Sequence, residues 1–566
     1  MQYDLVIRDG TIVDGSGMPG VRADVGVKDG RIATIGRIRD KAAHEIDAEG
    51  HVVTPGFIDG HTHMDAQVFW DPYGTSPSWH GITTVVMGNC GFTLAPSLPD
   101  KRELVVRNLE RAEDISPAAL AAGITWTWET FPEYMDAVEK APKSINYGTN
   151  LGHSALRTWA MGERAFEEEA TDDDLAKMEG ELRHSLAAGA LGLSTSRSDQ
   201  HETSDDRPVA SRLASWGEVR RLVCAMGDTG TGIFEITPDP ASGSSDPAVR
   251  DEWFGRMNDL AAESGAVLSV PIGSENQLDA HLDWIDALAA AGGRVFGLSH
   301  SRGVSVLFSF ETLLPFEKLP EWREVRARPI EEQKRLLADP VVRERLVKAA
   351  NDGPYGRAIG AQVRKPDYDL VQVWERPIPP NPSVAEVARQ RNIDPVEAMI
   401  DLALETDFKQ LFFQPFRQYR DENIVKLMKH PRVVMTLSDS GAHLTTVADS
   451  SIQTHLLAYW MRDRQLFTLE EAVRMLTLAP ATAWGFADRG LVREGFVADL
   501  NVFDPTTVGP EMPMLVNDFP AGAPRLIQKA HGFKATVVGG QIVLRDGVHT
   551  GALPGQLLRG PLARSR

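Results

Sequence analysis

Pro55-Gly56-Phe57-Ile58-Asp59-Gly60-His61-Thr62-His63 is the stretch that decides how this chain is read. A short apolar run ends in two histidines separated by one residue. Side chains at i and i+2 of an extended segment point the same way, so both imidazoles can face one metal ion. The apolar residues predict a buried strand, and the glycines on either side predict close packing of its backbone.

Outward from this strand, the middle of the chain alternates short apolar strands with amphipathic helices, the pattern of a parallel α/β sheet. Candidate strands are 56–61, 84–88, 146–152, 190–194, 232–236, 266–270, 294–299 and 433–438. Eight is the number that closes a barrel. A further strand-like run, 411–415, does not fit that count. Thr171 with Asp172, Asp173 and Asp174 caps a helix carrying Leu175, Met178, Leu182 and Leu186, which stops at Gly189. Asp394-Pro395 opens another helix, and Thr468 with Glu471 predicts a capping box.

The two ends of the chain share a different texture. Residues 3–8, 11–13, 25–28 and 31–35 read as short strands, separated by turn signals at Asp9-Gly10 and Asp29-Gly30. Residues 500–503, 535–538 and 541–544 read likewise, with Gly539-Gly540 between the last two. Two such half-sheets can pair into one unit and leave the middle as another. Segments 93–143 and 301–430 interrupt the strand–helix alternation. Insertions after barrel strands lie over the mouth of a site, so they read as lid or specificity elements, or as an oligomer contact.

Bulk properties narrow the classes. The chain has 566 residues, 42% hydrophobic and 24% charged, which excludes fibrous and largely disordered readings. A net charge of −20 disfavours nucleic acid and anionic membranes as partners, and also simply serves solubility. No apolar run reaches the roughly 18 residues a membrane helix needs. Met1-Gln2-Tyr3-Asp4 shows no secretory leader, and Cys90 and Cys224 are too far apart to suggest a disulfide framework. The expected location is cytoplasmic, the expected partner a small molecule, and a homo-oligomer is compatible with the sequence.

Several further residues fall at the ends of predicted strands. Asp439, in Leu437-Ser438-Asp439-Ser440, follows the eighth; a carboxylate there can bind a metal and take a proton from the water it activates, or merely cap a turn. Cys90, in Gly88-Asn89-Cys90-Gly91, follows the second, and reads as a thiolate ligand or a buried structural thiol. His153 and His300 end the third and seventh strands, and His443 follows Asp439; each reads as a ligand, a proton shuttle or a satisfied structural group. Arg157, Arg197 and Arg302 are candidates to clamp an acidic substrate group. Cys224, in a helical apolar pattern, reads as core.

Taken together these residues resemble the amidohydrolase superfamily, and within it the N-acyl-D-amino-acid deacylase (D-aminoacylase) family. The matching stretches span nearly the whole chain: 4–13 with 29–36, 55–63, 88–91, 147–157, 189–195, Ser438-Asp439, 490–500 and 539–551. The resemblance implies a TIM-like (β/α)8 barrel with a small β-sandwich formed from both chain ends. The expected division is 1–54 and 485–566 for the sandwich, and 55–484 for the barrel with insertions at about 93–143 and 301–430. It also implies a site at His61, His63 and Asp439 and a second, usually zinc, site served by Cys90.

This chain departs from that family at two strands. The family places a histidine on the fifth strand and another on the sixth. Here those strands end Phe234-Glu235-Ile236-Thr237 and Leu268-Ser269-Val270-Pro271, and the lysine that often follows the sixth-strand histidine is missing near Ile272. The expectation is therefore one Zn²⁺ or other divalent ion at His61, His63 and Asp439, with Cys90, Glu235 or His300 as supplementary ligands and a second ion left open. The expected reaction is hydrolysis of an amide C–N bond by metal-activated water, with Asp439 moving the proton. Alternatives are another amide, a cyclic amide, a carbamate or an ester as substrate, and a non-catalytic binding or scaffold relative.

Overall fold

The structure is a computed structural model that describes residues 3–272, 277–360, 362–416 and 420–564. Both chain ends meet in a nine-stranded sheet. Tyr3–Ile12, Val21–Lys28, Arg31–Gly36, Ala42–Asp47 and Val52–Pro55 join Leu500–Phe503, Phe533–Val538, Gln541–Arg545 and Val548–His549. The seam is the antiparallel pairing of Leu500–Phe503 with Val52–Pro55, where Leu500 opposes Pro55 and Val502 opposes Val53.

Asp29-Gly30 is the expected two-residue hairpin turn, with φ of 50° and 74°, and Gly539-Gly540 is its counterpart at the other end, with 52° and 78°. Asp9-Gly10 is not a turn. Tyr3–Ile12 runs through it as one strand, and the register against Val21–Lys28 shifts between Ile7 and Gly10. Asp9, at φ 57°, forms a bulge that bends the strand without ending it.

Val52–Pro55 passes directly into Phe57–Asp59 through Gly56. A Cβ on Gly56 would lie 2.1 Å from the Thr83 hydroxyl oxygen, so only glycine fits this junction. Eight parallel segments follow in chain order, all but the third single strands: Phe57–Asp59, Ile82–Met87, Asn146–Thr149 with Leu151–Gly152, Gly192–Ser196, Ile233–Thr237, Val267–Pro271, Arg294–Ser299 and Val433–Met435. They form two hydrogen-bonded parallel sheets among the described residues, not one continuous closed ladder. The two sheets divide at Asn150: Asn146–Thr149 pair with the second segment, Asn150 N–H still donating to the Met87 carbonyl at 3.0 Å, and Leu151–Gly152 pair with the fourth. The first and last strands meet beyond their ends, through a parallel bridge between Thr62 and Ser440.

Ile58, Val86, Leu191, Ile233, Phe296 and Val434, drawn from six of these segments and their flanks, pack in one buried cluster closed by Trp484. A Cβ on Gly60 would lie 2.3 Å from the Trp484 ring, which accounts for the second glycine of the decisive stretch. The surrounding helices carry the expected caps. Thr171 accepts from the Asp174 N–H, and the helix Asp172–Ala188 stops at left-handed Gly189. A cap of this kind contributes about 1 kcal/mol.

The run Leu411–Pro415 finds its place in the long insertion. It is the central strand of an antiparallel sheet between Ser305–Phe308 and Gln372–Trp374, and its burial alternates as a strand with one covered face does. This part of the chain has its own buried cluster, which includes Phe308, Phe316, Trp322 and Phe412. The shorter insertion contains the helices Arg102–Glu110, Pro117–Gly123 and Phe131–Lys140.

Candidate metal centre

His61 and His63 stand just past Phe57–Asp59, and both side chains are 2% exposed. The Asp59 carboxylate beneath them accepts from the His61 N–H at 3.2 Å and from the Gln453 amide at 3.2 Å. Backbone bonds lock this end to the eighth strand: His63 N–H donates to Ser440 O at 2.7 Å and Asp439 N–H to His61 O at 3.2 Å. Asp439 Oδ1 thereby lies 3.4 Å from His61 Nε2 and 3.2 Å from His63 Nε2.

Cys90 reaches the same pocket from the second strand, with Sγ 3.4 Å from His61 Nε2. Its turn is held on both sides. Asn89 donates to the Thr62 and Val86 carbonyls at 3.0 Å each, and Gly91 N–H donates to Ser194 Oγ at 2.9 Å. A donor atom from each of His61, His63 and Cys90 lies within 4.8 Å of the other two, spacing that one metal ion can bridge. Glu235 comes from the fifth strand, and its Oε2 accepts from the Cys90 N–H at 2.9 Å.

Backbone strain concentrates here. Cys90, Asp439 and His443 all occupy the left-handed region, with φ of 54°, 57° and 49°. Non-glycine residues held this way cost of order 1–3 kcal/mol each and cluster where a site demands a fixed side-chain direction. Gly441 must remain small, because a Cβ there would lie 2.5 Å from the His63 carbonyl oxygen.

The electrostatics are those of a buried, anion-rich pocket. Burial opposes ionisation of Asp439, but the contacts with His61 and His63 outweigh it and hold this carboxyl well below the usual range. Burial, with Glu235 and Glu113 nearby, pushes the Cys90 thiol well up. Burial raises Glu235 to about 7. His61 Nδ1, His63 Nδ1 and Nε2, Glu113 Oε1, Glu235 Oε1 and His443 Nδ1 are buried without a hydrogen-bond partner. Unsatisfied buried donors and acceptors at this density are rare in folded proteins; a cation on the Nε2 side would satisfy His63 Nε2 and a carboxylate oxygen, though not the Nδ1 atoms of the same rings. The donor set of imidazole, thiolate and carboxylate suits Zn²⁺ and similar divalent ions.

Other strand-end residues are taken up elsewhere. His153 is bonded through Nδ1 to Thr195 Oγ1 and through Nε2 to Glu218 Oε1, both at 2.9 Å, so neither nitrogen is free for a metal. Arg157 is fully buried beside it, paired with Glu218 and donating to the Glu168 carbonyl, and does not face a substrate space. Arg197 donates to the carbonyls of Arg212 and Ala214. His300 Nε2 stands 3.0 Å from Asp449 Oδ2, and Arg302 is held by the same carboxylate at 2.5 Å. His300 accepts from the Arg302 N–H through Nδ1 at 3.1 Å while its Nε2 faces Asp449 without a hydrogen bond, and Arg302 already has its anion. Cys224, expected in the core, is only partly buried.

The residue that sequence reasoning missed is Glu113. It lies in the insertion 93–143, with Oε2 3.6 Å from His63 Nε2 and 3.7 Å from His443 Nε2. Nothing in Arg111-Ala112-Glu113-Asp114 distinguishes this carboxylate from an ordinary charged residue at a helix end.

Parallel strands whose C-terminal ends converge on two histidines, a cysteine and an aspartate define a hydrolase class. The chain belongs to the amidohydrolase family, whose model matches residues 44–544. Within it, this chain is 28% identical to a D-aminoacylase of Alcaligenes xylosoxydans xylosoxydans, over 98% of this chain and 97% of that protein. It is 29% identical to an N-acyl-D-glutamate deacylase of the same organism, over 90% of this chain and 88% of the other. An uncharacterized protein of Mycobacterium tuberculosis is 29% identical over 96% of this chain and 92% of its own length. A solved D-aminoacylase, described as having a binuclear metal centre, shares the fold with a TM-score of 0.65 at 24% identity, covering 98% of this chain and all of that one. The N-acyl-D-glutamate deacylase of Bordetella bronchiseptica, solved with zinc and a phosphonate inhibitor, gives 0.66 at 24% identity, covering 99% of this chain and all of its own.

Proposed function

We propose that this protein is a metal-dependent amidohydrolase that cleaves the amide C–N bond of a small molecule, in the manner of the N-acyl-D-amino-acid deacylases it resembles. The observation that carries the reading is the convergence of His61, His63, Cys90 and Asp439 in one buried pocket with orphaned donor atoms. One or two Zn²⁺ or similar ions would be held by His61, His63 and Asp439, with Cys90 and Glu235 alongside. Bound there, a divalent ion supplies Lewis acidity, polarising a carbonyl and making water acidic near neutral pH.

The chain's own residues do the rest. Asp439 is the most open of these side chains, at 22% exposure against 2% for His61, His63 and Glu113. Ionised and the most exposed of the set, it accepts the proton from water and returns it to the leaving nitrogen. His61 and His63 fix its position through their contacts with Oδ1. The buried walls, including Phe92 beside His63, exclude bulk water from the reacting groups.

In this reading the two parallel sheets are one eight-stranded barrel circuit, interrupted at Asn150 and completed by the Thr62–Ser440 bridge. The cluster around Ile58 and Trp484 is its packed interior. The unit of both chain ends, residues 1–54 with 485–566, has one nine-stranded sheet and two short strand pairs among the described residues where two packed sheets were expected, and the barrel unit 55–484 carries the insertions 93–143 and 301–430.

The test is a panel of N-acyl-D-amino acids, their L counterparts, aryl amides, cyclic amides and carbamates with the zinc-loaded protein. Turnover of the N-acyl-D-amino acids is expected. Turnover confined to the aryl or cyclic amides would retire the deacylase reading and keep the amidohydrolase one.

A further inference from the structure

Glu113 is delivered to the pocket by a specific turn. The helix Arg102–Glu110 ends, Ala112 is buried, and Asp114 takes φ 51°, a left-handed conformation that aspartate tolerates. The Glu113 carbonyl accepts from the His443 N–H at 2.6 Å, and the Asp114 carboxylate accepts from the Thr445 hydroxyl at 3.2 Å. These two hydrogen bonds to the 443–445 turn fix the backbone from which the Glu113 side chain projects.

What the carboxylate faces is unusual. Its Oε1 has no hydrogen-bond partner, and its side chain is 2% exposed. Among the described residues no lysine or arginine pairs with it, and the charged neighbours acting on it are Asp439, Asp65 and Glu235. Buried in that company, the group either keeps its proton or takes a cation beside it.

The spacing points to what that cation is. Oε2 is 3.6 Å from His63 Nε2 and 3.7 Å from His443 Nε2, too long for a hydrogen bond to either. Two ligands of one tetrahedral ion, each about 2.0–2.3 Å from it, stand roughly 3.3–3.8 Å apart. Both separations fall in that interval.

We propose that Glu113 and His443 are ligands of a divalent cation held against His63, so that the insertion 93–143 completes the metal centre where the fifth and sixth strands lack histidines. The proposal rests on reading the pocket as a metal centre. It makes the insertion part of the site itself, beyond any role as a lid over it.

The test is zinc binding by the chelator-stripped, full-length protein, read by competition with a chromophoric chelator, for wild type, Glu113→Gln and His443→Asn. Glutamine keeps the shape of glutamate without its charge, and asparagine tolerates the left-handed φ of position 443. Melting of each stripped protein checks that it is folded; if Glu113→Gln fails there, His443→Asn decides alone. Each variant is expected to lose roughly tenfold or more in affinity for at least one zinc equivalent. Variants that bind the same number of ions as wild type, with affinities within about twofold, overturn the proposal. A wild type that binds no zinc overturns it together with the metal-centre reading, so the two failures are distinguishable.

Discussion

Cys90 Sγ lies 3.4 Å from His61 Nε2, although the two residues follow different strands and are 29 positions apart. The contact exists because Cys90 takes a left-handed φ between Gly88 and Gly91, which turns the thiol inward, away from the strand direction. Without a metal the protonated thiol donates to the imidazole at this distance; a divalent ion would displace that proton and take both atoms as ligands. Cobalt-substituted wild type is expected to show a thiolate-to-metal charge-transfer band that Cys90→Ala lacks, with lower metal content in the variant. Identical spectra would remove Cys90 from the ligand set.

Asp439→Asn keeps the shape of the side chain and removes its charge and proton capacity. The expected outcome is a fall in kcat of about 10²–10⁴ with a much smaller change in KM. Steady-state kinetics on any amide the enzyme turns over, at matched metal loading, checks it. A change in KM alone would move Asp439 from proton transfer to substrate binding.

The strand-borne part of this centre was legible in the sequence, because a strand projects alternate residues to one side and parallel strands end together. Glu235 lies on such a strand, and His61, His63, Cys90 and Asp439 lie in the turns just past the ends of three others, so they meet where those ends meet. Glu113 was not legible, since it arrives from a helical insertion whose position over the pocket depends on long-range contacts with the 443–445 turn. His153 and His300 have the right strand-end address but are diverted by Glu218 and Asp449, acids distant in sequence. The same limit explains Asp9-Gly10, where a turn signal became a bulge within a longer strand.

Arg157 separates a structural role from a substrate role. Its guanidinium and the Glu218 carboxylate are both buried, and Glu218 also holds His153. Burial opposes ionisation of Glu218, but His153 and Arg157 overcome this and lower its pKa. Arg157→Met is expected to cost about 3–5 kcal/mol of stability, as breaking one side of a buried pair does, while leaving KM unchanged. Denaturant unfolding and kinetics measured together check this; a raised KM at unchanged stability would restore the substrate clamp.

His80 gives a pH dependence with a definite sign. It is fully buried, its Nδ1 2.8 Å from Thr454 Oγ1 and its Nε2 3.1 Å from the Gln528 carbonyl oxygen. Burial lowers its pKa to about 3, against about 6.5 for an unfolded histidine. Between those values the unfolded chain binds the proton and the folded chain does not. This contribution to stability is therefore complete above about pH 6.5 and is lost as pH falls toward 3. NMR of the histidine-labelled protein is expected to show the His80 ring neutral down to at least about pH 5. A midpoint near 6.5 would contradict the burial argument.

The central claim is that amide hydrolysis depends on a metal held at His61, His63 and Asp439. The most direct measurement is amide hydrolysis by the chelator-stripped protein as Zn²⁺ is added back, with bound metal counted at each point. The account predicts a stripped protein without activity, with turnover rising in proportion to bound zinc and absent throughout in His61→Ala/His63→Ala. Full hydrolysis by metal-free protein, or by the double variant, would contradict it.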